Sequence, residues 1–124
     1  MSKTYPLIVL FASFIFSGPL SAESHLYTVS IRSIITDASG YNGCLVAVTP
    51  GPETVFSKCG AGLVTLGCDG MAGPSTSSAH LNLQSIQLAF AMNKKVHLRL
   101  YDSRPADNPY CLVDRVDVTQ TKAD

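Results

Sequence analysis

Four cysteines constrain this chain of 124 residues more than any other feature: Cys44, Cys59, Cys68 and Cys111. Two of them frame the stretch CGAGLVTLGCDG, where a short apolar run separates Cys59 from Cys68. The chain contains no C-x-x-C pair and no H-x-x-x-H spacing, so neither a redox motif nor a zinc site is indicated. Four cysteines in a small exported domain are instead typical of two disulfides.

The beginning of the chain predicts this export. A lone positive charge precedes the apolar run Leu7 to Phe16, and SGPLSA then ends in small residues, with Ala22 at the expected cleavage point. A membrane-spanning helix needs about 20 apolar residues, and Gly18-Pro19 interrupts this run. We therefore expect a signal peptide over 1–22, one domain over 23–124, a secreted or periplasmic location and no membrane span after cleavage.

The charge of the expected domain argues against nucleic acid as a partner. Without Lys3 the domain has eight Lys and Arg against nine Asp and Glu, a net charge of −1. Proteins that bind phosphate backbones carry clustered basic residues, whereas here only Lys94 and Lys95 are adjacent. Neither nucleic acid nor an anionic membrane surface is expected to bind.

Alternation of apolar and polar residues predicts five strands. In the first of them, Tyr27, Val29, Ile31, Ser33 and Ile35 share one face. The predicted strands cover His25–Thr36, Cys44–Thr49, Gly62–Cys68, residues 95–101 and Tyr110–Val118. A polar tail, TQTKAD, follows the last of them.

Between the third and fourth strands the apolar period changes from 2 to 3.6, which predicts a helix. Ser77 and Ser78 are both suitable N-caps. The stripe expected to face the core comprises Ala79, Leu83, Ile86 and Phe90, widened by Leu88 and Met92.

Three strands, a helix and two strands occur in this order in the OB-fold, a five-stranded Greek-key barrel. The expected fold is therefore mainly β with one helix, an OB barrel cross-linked by two disulfides. In such a barrel the second and third strands are antiparallel neighbours, which favours Cys44–Cys68, and the starts of the third and fifth strands meet, which favours Cys59–Cys111. A Cys44–Cys59 bridge across the turn at Pro50 to Glu53 is the competing arrangement, so the sequence leaves the connectivity open.

The chain has no pattern typical of a catalyst. It lacks a G-x-S-x-G elbow, and Asp114 and Asp117 are an odd number of positions apart on the last strand, so they should point to opposite faces rather than act as a pair. Arg99 and Arg115 are expected to form ion pairs with these carboxylates across neighbouring strands. We predict a protein that is not an enzyme and that holds no cofactor and no metal.

Two groups of residues are candidates for binding a sugar, which requires an aromatic plane next to hydroxyl, amide or carboxylate groups. The first is Tyr101, Asp102 and Ser103 at the end of the fourth strand, and the second is Tyr27, Thr28 and Ser30 on the first strand. The alternative interpretation is that the two tyrosines cap the ends of the barrel or pack between subunits.

The cysteines in NGCLVAV and VTLGCDG, together with LQSIQLAFAMNKKVHLRLYD, resemble the B subunits of subtilase cytotoxin and typhoid toxin. The resemblance extends from Tyr27 to Asp102, and the interval from Cys68 to Val96 is similar to the corresponding interval in that family. Members of the family are secreted OB-fold proteins that form pentameric rings, bind sialylated glycans and carry an enzymatic A subunit.

The resemblance implies a glycan or glycoprotein receptor, a homopentamer and a toxin A subunit as partners. It also implies a Cys44–Cys68 bridge, because a disulfide joins the matching strands in the family. Tyr101 matches a strand end that bears a tyrosine, whereas the family's glycan-contacting serine matches Tyr27 or Thr28, so its chemistry does not transfer directly.

The sequence thus predicts a secreted, non-enzymatic binding module that recognises a carbohydrate or a cell-surface receptor. The alternative is a stand-alone periplasmic or secreted protein with a structural or protein-interaction role and no glycan binding.

Overall fold

The computed structural model describes residues 4, 23–37 and 39–124. Apart from residue 4, the signal peptide predicted over 1–22 lies outside the described residues. No helix in the described part of the chain is long and apolar enough to cross a membrane.

The described chain is mainly β with one helix, in the expected order. Its strands form one sheet in the order β3-β2-β1-β4-β5, and every pair of neighbouring strands is antiparallel. The elements are β1 (Ser24–Thr36), β2 (Cys44–Thr49), β3 (Leu63–Thr65), α1 (Thr76–Ala91), β4 (Lys94–Tyr101) and β5 (Val113–Lys122), with short 3-10 turns at Tyr41–Gly43 and Pro52–Thr54.

A bulge divides β1 into two halves that pair with different strands. Residues up to Val29 pair with β4, residues from Ser30 onward pair with β2, and the register shifts between Ile31 and Ser33. An extra residue in a strand reverses the alternation beyond it. The prediction that Ser33 and Ile35 share a face with Val29 and Ile31 is therefore wrong, and Ile34 packs against the core instead.

The interior of the sheet consists of aliphatic side chains from all five strands. Alternate residues of β4 are fully buried, and the helix adds Ile86 and Ala89 to the same cluster. Each large aliphatic side chain buried in this way contributes about 1.5–3 kcal/mol. The fully buried members include Val46, Val64, Leu66, Ile86, Val96, Leu98, Leu100 and Val113.

The helix begins earlier than expected and turns a different face inward. Its N-cap is Ser75, whose hydroxyl accepts a hydrogen bond from Ser78 N at 3.1 Å. Ala79, Ile86 and Ala89 are its buried residues, and small alanines allow the helix to approach the sheet closely. The prediction of an inward Phe90, widened by Leu88 and Met92, is wrong, because all three are about half exposed.

The last strand starts and ends later than predicted. It continues through the expected polar tail to Lys122, which pairs with Lys94. The hydroxyl of Thr119 also donates to Lys95 O at 2.8 Å. These contacts extend the β4–β5 ladder into residues whose composition had suggested a free tail.

The two outer strands of the sheet, β3 and β5, meet at one point. A single parallel bridge joins Thr65 to Leu112, and Thr65 N donates to Cys111 O at 3.0 Å. Over the described residues the sheet is otherwise open between these strands, so a continuous barrel ladder is not formed.

Both disulfides join the pairs that the strand positions favour. Cys44, the first residue of β2, is bonded to Cys68, which follows β3. Cys59 and Cys111, which precede β3 and β5, are bonded to each other. The second bridge therefore lies beside the point where the two outer strands meet.

Candidate binding site

The three candidate residues of β1 do not form a common surface. Thr28 faces outward, with its hydroxyl 2.7 Å from Nδ1 of His97 on β4. Ser30 is only 2% exposed, and its hydroxyl accepts a hydrogen bond from Asp124 N at 3.1 Å. Tyr27 packs against the core, and its hydroxyl is buried.

Tyr101, at the end of β4, belongs to a polar group on the outer side of the sheet. Its hydroxyl donates to Asp114 Oδ2 at 3.0 Å, and the Arg99 guanidinium makes a bidentate ion pair with the same carboxylate at 2.8 and 3.0 Å. The hydrogen bond to Asp114 raises the pKa of Tyr101 above its ordinary value. Of the two expected ion pairs, this one crosses strands as predicted, whereas Arg115 pairs with Asp117 within β5.

A cleft of about 490 Å³ opens beside Tyr101. Tyr101, Ser78 and Ser103 line it together with Asp114 and the apolar side chains of Pro74 and Leu112. We call it the Tyr101 cleft. It combines an aromatic ring with several hydroxyl groups, the combination that a sugar-binding site requires.

The β4–β5 loop, residues 102–112, borders a second, wider groove of about 610 Å³. Asp102 and Ser103 line it, so Ser103 belongs to both depressions. Lys58 and Arg104 contribute two positive charges, and Asp102 and Asp107 two negative ones. The groove is thus polar but balanced in charge.

A third site, the loop cluster, lies where the β1–β2 loop meets the β4–β5 loop. We define it as Tyr41, Asn42, Asp69, Asn108 and Tyr110. Asn108 Nδ2 donates to Asn42 Oδ1 at 2.8 Å, and Asn42 Nδ2 lies 3.3 Å from each carboxylate oxygen of Asp69. The rings of Tyr41 and Tyr110 pack edge to face with centroids 5.5 Å apart. A cleft of about 350 Å³ is lined by the members of the cluster other than Tyr110.

Unusual backbone conformations occur in the loop cluster and directly beside it, at Asp107. Tyr41, Asn42 and Asp107 have positive φ angles of 52°, 63° and 59°. Such angles are uncommon outside glycine, and a bulky side chain adopts them rarely. Each costs on the order of 1–3 kcal/mol and persists only where the surroundings enforce it, often at functional sites.

Both disulfides adjoin the loop cluster and help to enforce this geometry. Asn42 lies two positions before Cys44, Asp69 directly follows Cys68, and Tyr110 directly precedes Cys111. The hydroxyl of Thr65 also donates to Tyr41 O at 3.0 Å. The covalent links thus tie both loops to the sheet.

The loop cluster was not predicted from the sequence: four of its residues lie outside the predicted strands, and Tyr110 was expected to begin the fifth strand. The available signal was the position of Asn42 and Asp69 beside Cys44 and Cys68: once that pairing is known, these two residues must lie close together. Among the described residues, no three His, Cys, Asp or Glu side chains are grouped so that they could hold a metal ion.

No protein-family model, no curated protein and no solved structure matches this chain.

Proposed function

We propose that the chain is an exported, non-enzymatic binding module that recognises a carbohydrate through the Tyr101 cleft. The observation that carries this proposal is that one tyrosine and two serines line a cleft large enough for a small saccharide. Sugar rings stack on aromatic faces, and their hydroxyl groups exchange hydrogen bonds with side-chain hydroxyls.

The ion pair behind Tyr101 supports this role because it fixes the ring. Asp114 accepts from the Tyr101 hydroxyl and from Arg99, whose guanidinium carbon lies 5.9 Å from the ring centroid. A ring held in this way loses little conformational freedom when a sugar stacks on it, and pre-organisation lowers the cost of binding.

Export and an OB-type fold form part of the same proposal. Two disulfides are typical of proteins that mature outside the reducing cytoplasm, which supports a secreted or periplasmic location. The strand order and the contact between Thr65 and Leu112 support an OB-like barrel closed at one point. The pentamer and the toxin A subunit that the resemblance implies stay predictions.

The test is to screen the disulfide-bonded protein on an array of immobilised glycans. We expect binding that Tyr101→Ala abolishes and that Tyr101→Phe, which keeps the ring, largely retains. Ser103→Ala should weaken binding, whereas Ser57→Ala, which removes an exposed hydroxyl outside the cleft, should not. Thermal unfolding of each variant separates lost binding from lost folding.

Two outcomes would contradict the proposal. One is the absence of array binding by protein that is folded and fully disulfide-bonded. The other is binding that persists in both Tyr101→Ala and Ser103→Ala, which would place the sugar elsewhere.

A further inference from the structure

The three depressions described above form a connected path around the β4–β5 loop. Ser103 lines both the Tyr101 cleft and the charge-balanced groove. Asp107 and Asn108 line both that groove and the cleft of the loop cluster. A ligand that follows the loop therefore meets one depression after another.

Each end of this path presents a tyrosine. Tyr101 is at one end, and Tyr41 is at the other with 45% of its surface exposed. The Tyr41 ring packs edge to face against Tyr110 with centroids 5.5 Å apart, and this contact restrains its orientation. The rings at both ends offer stacking surfaces for separate sugar units.

The side chains between the two tyrosines are suited to a ligand that carries many hydroxyl groups. Asp102, Ser103 and Asp107 offer carboxylate and hydroxyl oxygens to the groove, and the positive charges of Lys58 and Arg104 match the two negative ones. A polyanion would require an excess of positive charge. The path therefore favours a ligand bound by hydrogen bonds and stacking, with weak dependence on salt.

The far end of the path is rigid. The Asn108 side chain is buried, its amide donates to Asn42, and its carbonyl accepts a hydrogen bond from Tyr110 N at 2.9 Å. Together with the adjoining disulfides, these contacts hold the loop cluster in one arrangement. Pre-organised sites of this kind bind with a lower ordering cost.

We propose that the loop cluster is a second sugar subsite and that the ligand is an extended oligosaccharide crossing the β4–β5 loop from Tyr101 to Tyr41. This inference rests on the proposed function of the Tyr101 cleft. It adds that binding strengthens with the number of sugar units and that the added strength depends on Tyr41.

The experiment measures, by calorimetry, the binding of a monosaccharide, a disaccharide and a tetrasaccharide prepared from the array glycan with the strongest signal. We expect the tetrasaccharide to bind at least about tenfold more tightly than the disaccharide, a difference of ~1.4 kcal/mol. Tyr41→Ala should remove this gain and leave disaccharide binding unchanged. Tyr41→Phe should retain most of the gain, because it keeps the ring.

The matched control is Phe90→Ala, since Phe90 on α1 is 48% exposed and lies outside the path. It should leave binding of all three saccharides unchanged. Asp107→Asn is a second probe of the path: asparagine also tolerates a positive φ, so this variant tests the carboxylate without disturbing the loop. We expect it to weaken only the tetrasaccharide.

The outcomes separate this inference from the proposed function. Equal affinity for the disaccharide and the tetrasaccharide, or a full gain in Tyr41→Ala, overturns the second subsite while the Tyr101 cleft stands. Loss of disaccharide binding in Tyr41→Ala also overturns it, because Tyr41 would then belong to the first site. Array binding that survives enzymatic removal of the glycan overturns both, because the protein would then be binding the linker or the support and not a sugar.

Discussion

Leu98 and Asn108 are both buried, Leu98 completely and Asn108 with 6% of its surface exposed, yet different forces hold them. Leu98 lies among aliphatic side chains from several strands. Asn108 depends on two hydrogen bonds and on loops that are tied to the sheet by disulfides. In the sheet interior many neighbouring side chains can adjust when one side chain is shortened. The loop cluster instead depends on a few specific hydrogen-bond partners.

This difference explains how a small domain can maintain strained loops. Non-glycine residues with positive φ are unfavourable by themselves, and a three-residue strand such as β3 offers few hydrogen bonds to anchor them. The disulfides beside Asn42, Asp69 and Tyr110 provide the anchoring of these loops that the short strand does not. Breaking one link should therefore disturb the loop cluster as well as the overall stability.

The largest effect should come from replacing Cys59 and Cys111 together by alanine. The bridge joins residues 52 positions apart, and a loop of that size corresponds to about 4 kcal/mol of unfolding free energy in the chain-entropy account. Denaturant unfolding measures the change. Hydrogen exchange should show that amides of the β4–β5 loop lose more protection than those of β4.

Wild-type protein with intact disulfides, unfolded in the same buffer without reductant, is the control for the double variant. A loss of less than about 1 kcal/mol would show that the contact between β3 and β5 is secured without the bridge. Equal loss of protection in β4 and in the loop would remove the distinction between the two regions.

The next largest effect is expected for Leu98→Ala in the sheet interior. Leu98 is fully buried, and truncating such a leucine costs about 2–5 kcal/mol through lost burial and the cavity left behind. Chemical denaturation tests this. In the fraction that stays folded, sugar binding at the Tyr101 cleft should be unchanged, because the Leu98 side chain points away from that surface.

Leu26→Ala is the matched control, since Leu26 pairs with Arg99 across β1 and β4 and is about half exposed. Its substitution should change stability by less than about 0.5 kcal/mol. A comparable loss in both variants would mean that the side of the sheet bearing Leu26 is covered in solution.

A smaller and more local effect is expected for Asn108→Ala. The substitution removes the donor to Asn42 and leaves Tyr110 N without its acceptor, which costs about 1–3 kcal/mol. NMR spectra should show shifts for Tyr41 and Tyr110 and almost none in β4. Gln87→Ala, at an exposed helix position, is the control, and shifts that spread through the sheet would contradict the separation of the two regions.

The regular part of this molecule could be predicted from the sequence because alternation reports which side chains are buried. Cys44–Thr49 was predicted with its observed bounds, and the order of strands and helix followed from changes in period. The pairing of Cys44 with Cys68 could be favoured because antiparallel neighbours bring those ends together. These are properties of one segment or of two adjacent strands.

The errors arise where tertiary contacts override the local pattern. The bulge after Ile31 reverses the alternation of β1, and nothing in the composition of that strand marks it. Phe90 was assigned to the core because helical periodicity alone cannot identify which face meets the sheet. The loop cluster was missed because its residues come from three segments far apart in the sequence, and Tyr110 was assigned to the strand that in fact begins at Val113.

The smallest effect is expected for Tyr27→Phe, and it tests whether the sheet interior tolerates an isolated polar atom. Within the described residues, the buried hydroxyl of Tyr27 has no hydrogen-bond partner. Its removal should leave the free energy of unfolding at neutral pH unchanged or raise it by up to about 1 kcal/mol, since an unsatisfied polar atom is unfavourable in the interior. Tyr101→Phe, which removes a hydroxyl with a partner, should instead lower it slightly.

The pH dependence of stability in Tyr27→Phe shows whether the Tyr27 hydroxyl is buried without a partner or forms a hydrogen bond. Burial, with a further contribution from the charge of Glu53, raises the pKa of Tyr27 well above its ordinary value of 10.0. Because the folded-state pKa is the higher one, ionisation of this group leaves stability unchanged below about pH 10 and lowers it as the pH rises from there toward the folded-state pKa. Wild-type protein should therefore lose stability in alkaline buffer more steeply than Tyr27→Phe. Parallel alkaline profiles, or a variant less stable by more than about 1 kcal/mol at neutral pH, would mean that the hydroxyl is solvated or hydrogen-bonded after all.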